Sequence, residues 1–228
     1  MRHWIFACAF AFCAPPVLSD TRPVVVELFT SQGCSSCPPA DAVLHDLAKD
    51  PQVIALALHV DYWDYIGWVD EFADPAFTKR QKSYAMTHGE KTVYTPQMRI
   101  NGLDHVVGSR RNDVTALVSQ QKSLAMGATV QAERSAHTIT LSLTPGNASG
   151  PFIVHVVHYR PLSTVDIKRG ENAGRRLSYA NVVTDWRSVA EWDGIQPKSF
   201  NVTAPAGPTA VLVQKAGYGE IVTATHVR

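Results

Sequence analysis

Apolar residues in the first half of the chain switch between two rhythms. Val24-Val25-Val26-Glu27-Leu28-Phe29 and the stretch from Val53 to Leu58 are almost unbroken apolar runs, which predicts strands buried on both faces of a sheet. Between them Ala40, Val43, Leu44, Leu47 and Ala48 recur at helical spacing. Pro38 and Pro39 fall where a helix tolerates proline, in its first turn, and Asp50-Pro51 closes it. Strand, helix, strand in this order predicts a parallel βαβ unit. Further helices are expected from about Pro75 to Met86 and after Asn112, the latter with Val114, Leu117 and Val118 on one face. Met98-Arg99-Ile100 and Asp104 to Val107 flank Asn101-Gly102, a pair suited to the positive φ angles of a type I′ turn, so a hairpin is expected there.

From Ala128 the rhythm changes to short alternating strands. They are expected at Thr129–Glu133, Thr138–Leu143, Phe152–Tyr159, Val165–Lys168, Leu177–Val183, Ser199–Val202, Ala210–Gln214 and Ile221–Thr225. Turn signals separate them at Thr144-Pro145-Gly146-Asn147, Asp193-Gly194 and Ala206-Gly207-Pro208. The expected fold is α/β. A mixed sheet flanked by helices spans residues 20–127, and a smaller, mainly antiparallel β domain of sandwich or half-barrel type spans 128–228.

The first nineteen residues stand apart. Met1-Arg2-His3 is a short basic start, Trp4 to Ala14 is apolar, and Val17-Leu18-Ser19 supplies small residues before a cut, the three-part pattern of a secretory signal peptide. The apolar run is far shorter than the roughly 20 residues that span a bilayer. A lipid-attached Cys13 is disfavoured by the bulky Phe12 before it. Cleavage near Ser19 is expected, with the mature chain secreted or periplasmic and without stable membrane insertion. Formal net charge is +1 with no basic run, which argues against a nucleic-acid partner.

Export changes the meaning of the cysteines. Cys8 and Cys13 leave with the signal, so Cys34 and Cys37 remain as one Cys-Ser-Ser-Cys pair in a compartment where disulfides form. The pair sits between a buried strand and the start of an amphipathic helix. A helix N-terminus carries roughly +0.5 of an elementary charge and unpaired N–H groups, and can draw a cysteine pKa from about 8.5 to roughly 3.5–7.5. Cys34, the more N-terminal and expected to be the more exposed, would attack a substrate disulfide. Cys37 would resolve the mixed disulfide, and Ser35 and Ser36 could tune the thiolate. A purely structural disulfide in so small a ring contributes only about 2 kcal/mol before strain. A structural zinc site lacks a second cysteine pair, and haem attachment lacks a histidine at position 38.

Thr95-Pro96 immediately precedes the strand that leads into the Asn101-Gly102 hairpin. Strand, Cys-x-x-Cys on a helix, second strand, then proline at the head of a hairpin resembles the thioredoxin superfamily. That resemblance implies a cis peptide before Pro96, packed against the cysteines, and a Thr95 backbone free to pair with an extended substrate. It also implies a role for Glu27 as a buried acid that handles the proton of Cys37, although Glu27 lies one residue further from Cys34 than the superfamily's arrangement. A Glu27 facing solvent from a strand edge is the competing reading. Val26 to Asp41, His59-Val60-Asp61-Tyr62-Trp63-Asp64 and Gly170-Glu171-Asn172-Ala173-Gly174-Arg175 are in turn similar to signatures of the exported family catalogued as domain of unknown function 1223. That resemblance covers nearly the whole mature chain and brings no activity with it.

Two further groups bear on function. His59 and Asp61 end the second buried strand, where ligands gather in α/β sheets. With Cys34 and Cys37, His59 could complete a copper or other thiophilic metal site. Otherwise these residues are hydrogen-bonding partners under a rim of Tyr62, Trp63, Tyr65 and Trp68, which is either packing or a surface for a substrate chain. His155 and His158, three apart on a strand, point to opposite faces and are not expected to chelate together. The 170–176 loop carries glycines, Asn172 and arginines that could bind an anion, but a hairpin loop is the stronger expectation. Asn147-Ala148-Ser149 and Asn201-Val202-Thr203 match glycosylation acceptors, relevant only in a eukaryotic secretory route. The leading expectation is a thiol–disulfide oxidoreductase that needs no cofactor and works on protein thiols or disulfides or on a redox partner protein. A metal carrier using the same cysteines and a redox-switched binding module are its rivals.

Overall fold

A computed structural model describes residues 23–124 and 127–227; the expected signal segment, with Cys8 and Cys13, lies outside the described residues. The chain runs β1 (Val24–Thr30), α1 (Pro38–Leu47), β2 (Val53–His59), α2 (Pro75–Thr87), β3 (Gln97–Ile100), β4 (Asp104–Val107) and α3 (Arg111–Lys122). It continues with β5 (Ala128–Ser135), β6 (Thr138–Pro145), β7 (Phe152–Asp166), β8 (Arg176–Trp192), β9 (Lys198–Thr203), β10 (Thr209–Lys215) and β11 (Ile221–His226).

The protein is α/β, with a mixed sheet and a smaller antiparallel one. The large sheet has the order β11-β10-β7-β8-β2-β1-β3-β4, and β5-β6-β9 form the small sheet. β1 pairs in parallel with β2 from Val24↔Val53 to Thr30↔His59, and antiparallel with β3 from Val26↔Ile100 to Phe29↔Gln97. Every residue of β1 and β2 is buried, as their continuous apolar runs predict. Val24, Val26 and Leu28 face α1 and α3, while Val25 and Phe29 face α2 and the C-terminal strands. Asp74 caps α2 by accepting from the Ala76 N–H, and Pro75 occupies its first turn. Asn101 and Gly102 take φ of 47° and 72°, as the hairpin demands. A side chain at 102 would also strike the Gly219 carbonyl.

The sheet does not stop at residue 127. β8 pairs in parallel with β2 through Ala57↔Val182, so β7, β8, β10 and β11 extend the N-terminal sheet. Without β8 the outer edge of β2 would be left unpaired. The side chain of Asn181, at φ 48°, donates to the Ala55 carbonyl at 2.8 Å beside this junction. Among the strands after 128, only β5, β6 and β9 stand off the large sheet, packing Ile139, Leu141 and Leu143 against Phe152, Val154, Val211 and Val213. The strands expected at 152–159 and 165–168 are one strand, β7. β8 likewise runs well past Val183, so the two form a long antiparallel hairpin whose tip, residues 167–175, returns to the N-terminal half.

Candidate redox site

Cys34 and Cys37 are joined in a disulfide at the head of α1. The Cys34 N–H bonds the Ser31 carbonyl and the Cys37 N–H bonds the Cys34 carbonyl, which folds the loop into successive turns. Cys37 is the residue that starts the helix. The free N–H groups expected there are largely missing: Pro38 and Pro39 have none, and those of Ala40 and Asp41 bond the Cys37 carbonyl. Two hydroxyls lie against Cys34 Sγ instead, Thr95 Oγ1 at 3.3 Å and Ser36 Oγ at 3.4 Å. The Trp63 indole donates to Thr95 Oγ1 at 2.8 Å. Because an indole N–H can only donate, the threonine hydroxyl accepts from it and keeps its own proton for the sulfur.

The Thr95–Pro96 peptide is cis and lies at the head of β3. Thr95 also reaches the cysteine pair through its side chain, whose hydroxyl makes the contact with Cys34.

The expected exposure of Cys34 is not what the structure has. Cys34 is 1% exposed and Cys37 0%, while Ser35 and Ser36 between them face solvent. Tertiary cover is the reason. Trp63 and Ile66, around the single helical turn Asp64–Ile66, lie so close over Gly33 that a side chain there would sit 3.2 Å from each. Trp68 Nε1 donates to Gln32 Oε1 at 2.7 Å, and Asp70 Oδ2 accepts from the Gln32 N–H at 2.8 Å. From the other side comes the β7–β8 tip. Asn172 Nδ2 donates to the carbonyls of Gln32 at 2.9 Å and Cys34 at 3.0 Å, and its Oδ1 accepts from Arg175 at 2.8 Å. Gly170, at φ 76°, lets that tip pass against Trp68. The 170–176 segment is thus a hairpin loop whose polar group faces the cysteine loop.

The aromatic rim divides in two. Trp63 and Trp68 hold the site by their indole N–H groups, and Tyr62 donates to Gln81 Oε1 at 3.1 Å, with burial pushing its phenol up to about 12. Tyr65, stacked on Trp63 and 81% exposed, and Val69 are left to solvent.

On the α1 side of the sheet lies a buried polar cluster. Asp41, one helical turn after Cys37, accepts from Thr30 Oγ1 at 2.8 Å. Burial pushes its carboxyl up to about 7 against the opposing pull of His59 and of the Thr30 hydroxyl. His59 Nδ1 meets Asp70 Oδ2 at 2.7 Å, and the His59 ring packs edge-on to Phe72 and Tyr179. Burial, followed by Asp41 and Asp70, drives the Tyr179 phenol far up. The sequence alone assigns no role to Asp41 or Asp70, and Asn172 enters it only as part of a loop that could bind an anion. A signal was present for the first: an aspartate in the core-facing stripe of α1, beside Ala40 and Leu44.

Glu27 is buried, so the solvent-edge reading does not hold, but it is not beside the cysteines. It has the strand parity of Val25 and Phe29 and faces α2, where Arg80 Nε and Tyr84 OH both donate to it at 2.6 Å. Cys34, Cys37 and His59 form no group able to hold an ion, and no such group of three occurs among the described residues. As a disulfide the sulfurs offer no thiolate to a metal. Asp61 accepts from Thr78 Oγ1 at 2.5 Å. His155 and His158 have separate partners, Ser188 Oγ at 3.2 Å and Thr209 Oγ1 at 2.8 Å.

The family model described as protein of unknown function DUF1223 matches residues 25–216. The chain belongs to the DUF1223 family. No curated protein matches this DUF1223 chain. It is similar to the crystal structure of protein AGR_C_4864 from Agrobacterium tumefaciens, with 33% identity and a TM-score of 0.79 over 91% of this chain and 94% of that one. It also resembles HBP35 of Porphyromonas gingivalis at 14% identity and a TM-score of 0.57, over 90% of this chain and 74% of that one, a likeness of fold alone.

Proposed function

We propose that this DUF1223 chain is an extracytoplasmic thiol–disulfide oxidoreductase of thioredoxin-like architecture, acting on protein thiols and disulfides through Cys34. The observation that carries this reading is a disulfide at a helix head with two hydroxyls against one of its sulfurs. Hydroxyl donors favour a thiolate far more than a disulfide sulfur, so Thr95 and Ser36 stabilise the reduced, nucleophilic form of Cys34. In that form the Cys34 thiolate attacks a substrate disulfide and one substrate thiolate leaves. Asp41 accepts the Cys37 proton through the buried polar cluster. Cys37 then attacks Cys34 Sγ and the second substrate thiolate departs. Two electrons pass to the substrate, whose two thiolates take up one proton from Asp41 and one from solvent in place of that lost by Cys34, and relative reduction potential sets the direction. The sealed form is not itself competent for attack; exchange proceeds through local displacement of the Trp63–Ile66 cover.

That burial favours one second reading, a binding module in which the disulfide is a redox switch. The Cys37→Ala chain, expressed in an oxidising compartment, separates the two. An oxidoreductase accumulates mixed disulfides on Cys34 that dithiothreitol releases; a switch module accumulates none.

A further inference from the structure

On the sheet face away from α1, helix α2, strands β7, β8 and β10 and the turn after β10 line a cavity of about 560 Å³ that opens to solvent. Cavities of roughly 300–1,000 Å³ suit small organic ligands. Its back wall is the buried Arg80. The guanidinium carbon lies 3.9 Å from the Trp186 ring centroid and 4.8 Å from that of Tyr84. Arg80 Nε donates to Glu27, and Nη2 donates to Tyr84 OH at 2.7 Å and Gln214 Oε1 at 3.1 Å. These bonds fix the guanidinium and leave Nη1 for an occupant.

The remaining lining has two characters. Phe77, Trp186 and Tyr218 present flat apolar surface. Lys79 and Lys215 contribute positive charge, against one lining carboxylate, Glu191. Lys215 is held by Glu220 at 3.0 Å, so the exposed Lys79 is the cation best placed to meet a ligand. His155 bonds Ser188, and burial together with Arg80 pushes its imidazole down to about 3, so it offers hydrogen bonding without charge.

We propose that this cavity binds a small aromatic carboxylate, with its ring against Trp186 and Phe77 and its carboxylate between Lys79 and Arg80 Nη1. The rigid back wall lowers the ordering cost of binding. Glu27 matches the charge of Arg80 and Glu220 that of Lys215, so the contact that selects a carboxylate is the local one to Lys79 and Arg80 Nη1, which a neutral ring forgoes and a ligand cation would oppose. The inference does not rest on the redox reading, since none of the residues that line the cavity touches Cys34 or Cys37.

Calorimetric titration of the full chain with 1-naphthoate, 1-naphthalenemethanol and 1-naphthylmethylamine tests it. Saturable naphthoate binding is expected, at least tenfold tighter than either analogue. It should weaken at least tenfold in Lys79→Glu, with an unchanged circular dichroism spectrum, and stay within twofold in Lys82→Glu, which makes the same charge change outside the cavity. Absence of saturable naphthoate binding, equal binding of all three compounds, or equal losses in the two variants would overturn the proposal.

Discussion

Asn172 and Cys34 are 138 residues apart in sequence, yet the Asn172 amide donates to the Cys34 carbonyl at 3.0 Å in a fully buried contact. The same nitrogen holds the Gln32 carbonyl, so one side chain from the C-terminal hairpin fixes both sides of Gly33. The strands after residue 128 therefore complete the cysteine site as well as the sheet. Asn172→Ala would orphan two buried carbonyls and release Arg175. A loss of about 2–4 kcal/mol is expected, read as a lower urea midpoint, together with faster reduction of the disulfide in native buffer.

Thr95→Val keeps the shape of the side chain and removes the proton directed at Cys34 Sγ. A hydrogen bond to a charged acceptor contributes about 1.5–3 kcal/mol. The thiolate form loses it and the disulfide loses little. The Cys34–Cys37 potential should become about 30–60 mV more negative, measured by equilibration against glutathione.

Asp41 gives stability a defined pH dependence. Its folded pKa of about 7 lies above the 3.8 of the unfolded chain, so between these values the folded state binds more protons. Stability from this group is complete below the unfolded value and declines as pH rises through about 4–7, by an amount on the order of 4 kcal/mol. Wild type should lose stability between pH 5 and pH 8 relative to Asp41→Asn, whose curve should be flatter. Denaturant titrations at the two pH values check this. The same variant should slow resolution of the mixed disulfide.

Glu27→Gln separates the two buried acids. It leaves the Arg80 charge uncompensated, at a cost of about 3–5 kcal/mol. Because Glu27 faces α2, resolution by Cys37 should keep its wild-type pH profile, in contrast to Asp41→Asn. Stopped-flow measurement of mixed-disulfide resolution in the two variants reads the difference.

Much of the N-terminal site was legible in sequence because its signals are local. The β1 run, the prolines at the head of α1, the Thr95-Pro96 pair and Asn101-Gly102 each act within a few residues. The remainder depends on contacts that local pattern does not encode. A strand buried on both faces has no polar side to orient it, so nothing around Glu27 said which face it takes; Arg80 on α2 settles that. Alternation in Leu177–Val183 predicts a strand but not its neighbour, and pairing with β2 is what joins the two halves. Pro161 and the exposed residues beside it break the apolar pattern of β7, so one long strand reads as two. The cover over Cys34 is assembled from one local segment, Trp63, Ile66 and Trp68, and from Asn172, both distant from Cys34 in the chain.

The most direct measurement is the rate at which dithiothreitol reduces the Cys34–Cys37 disulfide in native protein across urea concentrations below the unfolding transition. Exchange through local opening predicts a rate proportional to dithiothreitol, nearly flat in urea, and raised about tenfold by Trp63→Ala, equivalent to about 1.4 kcal/mol less cover. Reduction that rises only with the globally unfolded fraction, at the same rate in Trp63→Ala once stability is matched, would contradict it and leave the disulfide a sealed structural link.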